Sequence, residues 1–353
     1  MSKSVALILA AGLAAPLAFA VPPTECATTI NKEDLAALKA IEASGLYRFR
    51  PASPDAPIVI GLSFHVIRRT DGTGAIPQAQ LTQALIDANV HYATAGIQFC
   101  QVGQNRFMNS DQYYTIDNTS EANALRLIDV VPGTINIYFV GSAPFCGISS
   151  FTTSSVQGIV CLNACVGINT NPQNHSTFPH EIGHYFNLYH THETAFGTEC
   201  TNGSNCSTAG DLVCDTPADP NVLGLINGSC QWTGAATPPC GGSPAYVPPV
   251  RNIMSYSNKE CRDHFTPQQQ SRALVTLLNL RPELSRTICG PQCDANCDGS
   301  TIAPILNVND FTCFLNRFAA GDLRANCDNS TTQPLLNIND FSCFLNKFAA
   351  GCT

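Results

Sequence analysis

His180-Glu181-Ile182-Gly183-His184-Tyr185-Phe186-Asn187-Leu188-Tyr189-His190 is the stretch whose reading decides what this chain is. If it begins as a helix, His180 and His184 stand one turn apart on one face, where both imidazoles can reach a single metal ion. Glu181 lies beside them without being a ligand, placed to hold a water molecule and take its proton. A straight helix would carry His190 away from that point. Asn187 removes the obstacle, because asparagine tolerates the left-handed backbone conformation, so the helix can stop there and the chain can turn back. Histidine pairs at this spacing also occur by accident on surface helices. A third histidine at the right offset, with a break residue between, separates the two cases. The expected ligands of a catalytic Zn²⁺ are therefore His180, His184 and His190, with Glu181 as general base.

The same residues resemble the long zinc signature of the metzincin metallopeptidases, with Asn187 where that family usually has glycine. Asn252-Ile253-Met254-Ser255-Tyr256 resembles the Met-turn that metzincins carry beneath the metal, and Met254 is one of only three methionines. Residues 210–217 and 261–268 are similar to the pappalysin-type, ulilysin-like M43 branch. The resemblance spans about residues 58 to 288. It implies an α+β fold: a mixed twisted sheet, a backing helix, the zinc helix, and a loop-rich lower subdomain. It implies zinc-dependent hydrolysis of peptide bonds in protein or peptide substrates. Tyr256 would then act near the zinc, as a ligand or as a hydrogen-bond donor to the developing oxyanion. Asp211 and Thr216 become candidate Ca²⁺ ligands, against the alternative of an Asp-Thr-Pro turn that needs no ion. Cys26 stands near the place where pappalysin-type zymogens carry a Cys-Gly-Thr whose thiolate caps the zinc. A plain disulfide is the other reading, and parity leans toward it: with 18 cysteines, a thiol on the metal leaves at least one more unpaired.

Composition bounds the rest. The 353 residues hold 18 Lys+Arg against 26 Asp+Glu, a net charge of −8, which leaves no basic face for a nucleic acid. Hydrophobic residues at 44% exclude wholesale disorder. The cysteine count points to an oxidising compartment and a disulfide framework. Lys3, an apolar run over residues 5–17 and Ala18-Phe19-Ala20 read as a signal peptide over residues 1–20, hence a secreted, extracellular protein. That run is too short to span a membrane. Residues 21–57 read as a short propeptide and linker, with one helix at residues 32–43. In the catalytic domain, residues 58–288, strands are expected from Ile58 and at 97–102, 134–140 and 158–162. Helices are expected at 77–95, from about Ser176, and at 268–284.

Residues 289–353 hold two copies of a thirty-residue unit, Asn307 to Gly321 recurring as Asn337 to Gly351. Helices are expected at 311–319 and 341–349, packing their Phe and Leu faces together. The repeat symmetry favours bridges Cys297–Cys313 and Cys327–Cys343. Asn296, Asp298 and Asp310 resemble ligands of a dockerin-type calcium loop; the other reading is a disulfide-held helix pair whose Asp and Asn residues are caps and turn formers. The leading function is a secreted zinc endopeptidase. The alternative is a catalytically dormant protein that attaches to a cell-surface or scaffold partner through its repeats, although a dormant core has no need of Glu181. No residue singled out in the sequence defines the pocket for a substrate side chain.

Overall fold

Strand β1, Ile58–Arg68, is buried over eight consecutive residues, as a strand covered on both faces must be. The computed structural model describes residues 23–48, 54, 57–241, 244–286, 295–298, 304, 306–322, 325–328, 330 and 334–351. The signal-peptide reading of residues 1–20 lies outside them.

Ahead of β1, helix α1 (Lys32–Ala43) is capped by Asn31 and sets Leu38 against Phe151 and Tyr189. Parallel strands need a crossover, and α2 (Gln78–Tyr92) carries the chain from β1 to β2 (Ile97–Gln101). Short β3 (Arg106–Asn109) continues that edge along the far half of β1. Two short helices, α3 (Asp111–Tyr114) and α4 (Thr119–Leu125), lead to β4 (Ile135–Val140) on the other side of β1. Two-residue β5 (Gly147–Ile148) and then β6 (Ile159–Leu162) complete the order β2-β1-β4-β6-β5. β5 alone runs antiparallel, so an otherwise parallel sheet ends in an antiparallel edge.

One face of the sheet packs on α2, α5 (Thr177–Tyr185) and α6 (Pro267–Leu280). Phe64, Phe139 and Phe178 meet there, with the Phe64 and Phe139 rings 5.3 Å apart and edge-on. The other face buries Ile67, Leu125, Tyr138 and Val140. The expected long elements are found within two residues at most ends, save α2, which ends at Tyr92, and the helix expected at 268–284, which ends at Leu280. By contrast, β3, β5, α3 and α4 are missing from the sequence reading, since elements of two to seven residues show no periodicity to read.

The described residues between 191 and 258 form almost no regular structure. Bridges Cys200–Cys240, Cys206–Cys214 and Cys230–Cys261 hold them, which is the stapling expected where little core is available. Cys146–Cys165 fastens the β5 edge to the turn after β6.

In the repeats, α7 (Val308–Ala319) and α8 (Ile338–Ala350) each start three residues before the expected position. Asn307 and Asn337 cap them, and Asp310 and Asp340 complete capping boxes. The two oxygens of Asp310 accept the backbone N–H groups of Asn307 and Asp298, so this candidate calcium ligand serves as a cap. Asn296 and Asp298 flank Cys297, and both expected bridges, Cys297–Cys313 and Cys327–Cys343, are formed. Phe314 and Phe344 stack with centroids 4.2 Å apart. Phe344→Ala should therefore cost the repeat unit about 3–5 kcal/mol. In calorimetry of the full chain, the repeat transition should fall in temperature while the peptidase transition stays in place.

Candidate active site

α5 opens after Ser176 and carries Pro179 in its first turn, a position that needs no backbone donor. Gly183 admits the Met-turn: a Cβ there would meet the Met254 sulfur at 2.7 Å. The helix ends at Tyr185, and Asn187 takes φ 59°, the left-handed conformation expected of it. Its reversal is fixed from several sides. Leu188 N–H returns to Gly183 O at 2.8 Å, the Asn187 side chain donates to Thr152 Oγ1 and accepts from Thr152 N–H, and Arg272 Nε donates to Asn187 O at 2.7 Å.

The turn brings three imidazoles to one point. His184 Nε2 lies 3.1 Å from His180 Nε2 and 3.0 Å from His190 Nε2. His180 Nδ1 donates to Ile253 O at 2.7 Å, and His184 Nδ1 donates to Leu188 O at 2.8 Å. Those two donations fix the tautomers, so both Nε2 atoms are bare lone pairs aimed at each other. Burial pushes His184 down to about 3 and His180 and His190 well below the ordinary imidazole value, which leaves no proton to bridge them. A cation satisfies such a cluster. Around a tetrahedral zinc the nitrogens would stand about 3.3 Å apart, close to what is seen. The neutral imidazoles, each with its second nitrogen held by a carbonyl, are also the form that ligates metal.

Cys26 completes the set: one donor atom from each of Cys26, His180, His184 and His190 lies within 4.8 Å of the others. Its Sγ is 3.5 Å from His184 Nε2 and 3.7 Å from Glu181 Oε2. Burial, and then the Glu181 carboxylate, push this thiol well above its ordinary value, so a thiolate here needs a cation beside it. Among the described residues two cysteines are free, Cys26 and the buried Cys161, which answers the parity argument. Glu181 is wholly buried and driven up to about 8 by that burial, against weaker opposing pulls from Cys26 and Thr28. Thr28 Oγ1 donates to its Oε2 at 3.3 Å. Gly147 on β5 leaves room for Glu181, whose Oε1 a Cβ there would strike. Tyr256 stands with its ring 4.7 Å from that of His190, and its hydroxyl donates to Cys26 O at 3.1 Å.

Away from this point, Asp211 is buried and accepts from Val213 N–H and the Thr216 hydroxyl. Burial and nearby Glu199 raise it well above the carboxylate range, and burial lifts Glu199 to about 7. Glu199 Oε2 and Asp215 Oδ1 are buried with no partner. Neither residue was singled out from sequence, nor were Thr28, Glu25, Lys259, Arg262 and His192. His192 stacks on His190 at 5.0 Å, and only its spacing from that ligand could have flagged it.

Comparisons with known proteins give the family and the fold. A family model described as pregnancy-associated plasma protein-A, of the M43 peptidases, matches residues 147–278. An extracellular metalloprotease of Colletotrichum graminicola is 31% identical over 229 residues, 62% of this chain and 76% of that protein. Another, from Arthroderma benhamiae, is 31% identical over 283 residues, 75% of this chain and 94% of that protein. Among solved structures, a mutant promirolysin of Tannerella forsythia shares the fold at a TM-score of 0.53 and 18% identity, covering 74% of this chain and 97% of that one. The turn at Asn187 is open to direct test. A β-branched side chain in left-handed backbone costs about 1–3 kcal/mol. Asn187→Val should therefore purify with much less than one metal ion per chain, as measured by elemental analysis.

Proposed function

The chain belongs to the M43 peptidase family and is a metalloendopeptidase, and on that premise we propose a secreted zinc enzyme with His180, His184 and His190 as ligands and Glu181 as general base. The triangle of Nε2 atoms, with the Nδ1 atoms of His180 and His184 each donating to a backbone carbonyl, is the observation that carries this reading. Zinc supplies Lewis acidity there, toward the scissile carbonyl and a water molecule. Glu181 takes that water's proton at Oε2 and delivers it to the leaving amine nitrogen. The Tyr256 hydroxyl, which donates to Cys26 O in this structure, donates instead to the substrate's carbonyl oxygen as negative charge grows on it.

Residues 23–48 act as the latency segment in this proposal. Cys26 takes the place of the reacting water, while Thr28 ties up Glu181. Anchors away from the metal support the same role: Glu42 pairs with Arg272, and Asp34 accepts from Thr153 Oγ1 at 2.6 Å. Release of the segment is thus a cleavage step rather than a simple dissociation. Calcium is proposed at the Asp211 loop, where Glu199 and Asp215 offer oxygens with no protein partner. The Thr216 hydroxyl donates its proton to Asp211, which leaves its oxygen lone pairs and its backbone carbonyl free to face the ion. The repeats are proposed as an attachment module of the dockerin-like kind, held by its two bridges and its caps. They leave Val308 and Ile338 exposed at matching positions for a surface or scaffold partner.

Glu181→Gln removes the base but no ligand. It should keep one metal ion per chain and lose about 10²–10⁴-fold in kcat on a peptide substrate; an unchanged kcat would remove Glu181 from its role. Cys26→Ser should make the uncleaved precursor active toward small peptides, whereas a precursor that stays silent would mean the thiol is not what blocks the site.

A further inference from the structure

A buried arginine and a half-buried lysine stand beside the active site with no part in the chemistry above. Arg262 is 4% exposed and follows the Met-turn; its Nη1 donates to Ser255 O at 3.1 Å, its Nη2 donates to Glu25 Oε2 at 2.8 Å, and its Nε has no partner. Lys259 Nζ lies 3.8 Å from the same carboxylate oxygen and 2.7 Å from the Cys146 sulfur of the Cys146–Cys165 bridge. Among the described residues, Glu25 is the one carboxylate paired with either cation.

Glu25 precedes Cys26, so its side chain enters the position next to the reacting centre. The backbone on both sides of it is laid along the β5 edge. Thr24 N–H donates to Pro144 O at 2.8 Å, Cys146 N–H to Thr24 O at 2.9 Å, and Ala27 N–H to Gly147 O at 2.9 Å. That is how an extended peptide adds to a sheet edge, with main-chain bonds giving affinity and a side-chain pocket giving selectivity. The segment is therefore a peptide already bound in the cleft, and it shows what the adjacent pocket accepts. Once it is cleaved away, Arg262 and Lys259 lose the carboxylate they share, an arrangement that favours whatever carboxylate replaces Glu25. We infer that Arg262 and Lys259 form the specificity pocket beside the scissile bond, and that the mature enzyme cleaves next to glutamate, with aspartate second because it is one methylene shorter. The inference rests on the zinc-peptidase reading above. A peptide's terminal carboxylate has the same chemistry, but the chain through Glu25 continues hydrogen-bonded on both sides, which favours an internal side chain.

The test uses the full-length chain matured by removal of its segment ahead of residue 58, loaded with zinc. Matched quenched peptides carry Glu, Asp, Gln or Lys at either position next to the cleaved bond, each with a free or an amidated C-terminus. At one position Glu should exceed Gln in kcat/KM by about ten- to a hundredfold, the worth of a hydrogen bond between charged groups. Amidation should leave that ratio intact. In Arg262→Gln the Glu/Gln ratio should fall to near one, a readout that a general loss of stability would not move. If that variant does not fold, Lys259→Glu decides, by lowering the Glu/Gln ratio and raising cleavage next to Lys. Ready cleavage with no acidic preference overturns the inference and leaves the peptidase reading standing. So does a preference that vanishes on amidation, or a ratio that neither variant changes. A zinc-loaded mature enzyme that cleaves none of the peptides, nor unfolded protein, overturns both.

Discussion

The left-handed residue at Asn187 is the constraint from which the rest of the site follows. It lets Leu188 N–H close on Gly183 and turns Leu188 O back to receive the His184 Nδ1 proton, so one backbone reversal both ends the helix and fixes a tautomer. It then returns the chain so that His190 meets the helix pair. The side-chain amide fastens this reversal to Thr152, and the carbonyl fastens it to Arg272. Glycine at this position would give the conformation but not the two bonds to Thr152. Asparagine gives both, which is a physical reason for the departure from the usual residue.

The chemistry was more legible in the sequence than the architecture around it. His180, His184, His190 and Glu181 were readable because helical spacing is local and a break residue announces the turn. Met254 and Tyr256 came through resemblance. The long strands and helices followed from periodicity, whereas β3 and β5 depend on pairing with distant residues and leave no pattern. Yet two-residue β5 is the edge on which the latency segment lies. Glu25, Lys259 and Arg262 were unreadable for a related reason: 234 positions or more separate Glu25 from either cation, and nothing in the sequence says that they meet.

The N-terminal segment, residues 23–48, is part of the core rather than an addition to it. Leu38 is fully buried against Phe151 and Tyr189, and the Arg272 guanidinium sits over the rings of Tyr47 and Tyr189 while it pairs with Glu42. The same arginine supports Asn187. The N-terminal segment and the turn at Asn187 therefore share a side chain, Arg272, which contacts both.

The stapled lower half ties this enzyme to the conditions of its own synthesis. Cys230–Cys261 anchors the stretch just past the Met-turn to loops that have little core of their own. Arg262 is the next residue along, and Met254 lies only seven positions before the bridge. These bridges add covalent tethers to the hydrogen bonds, such as Thr191 to Asp219 and Gln268 to Asp215, that hold the floor under the histidines and the wall beside them. The oxidation state of the surroundings thus bears on the catalytic floor through Cys230–Cys261, at a place separate from the N-terminal segment.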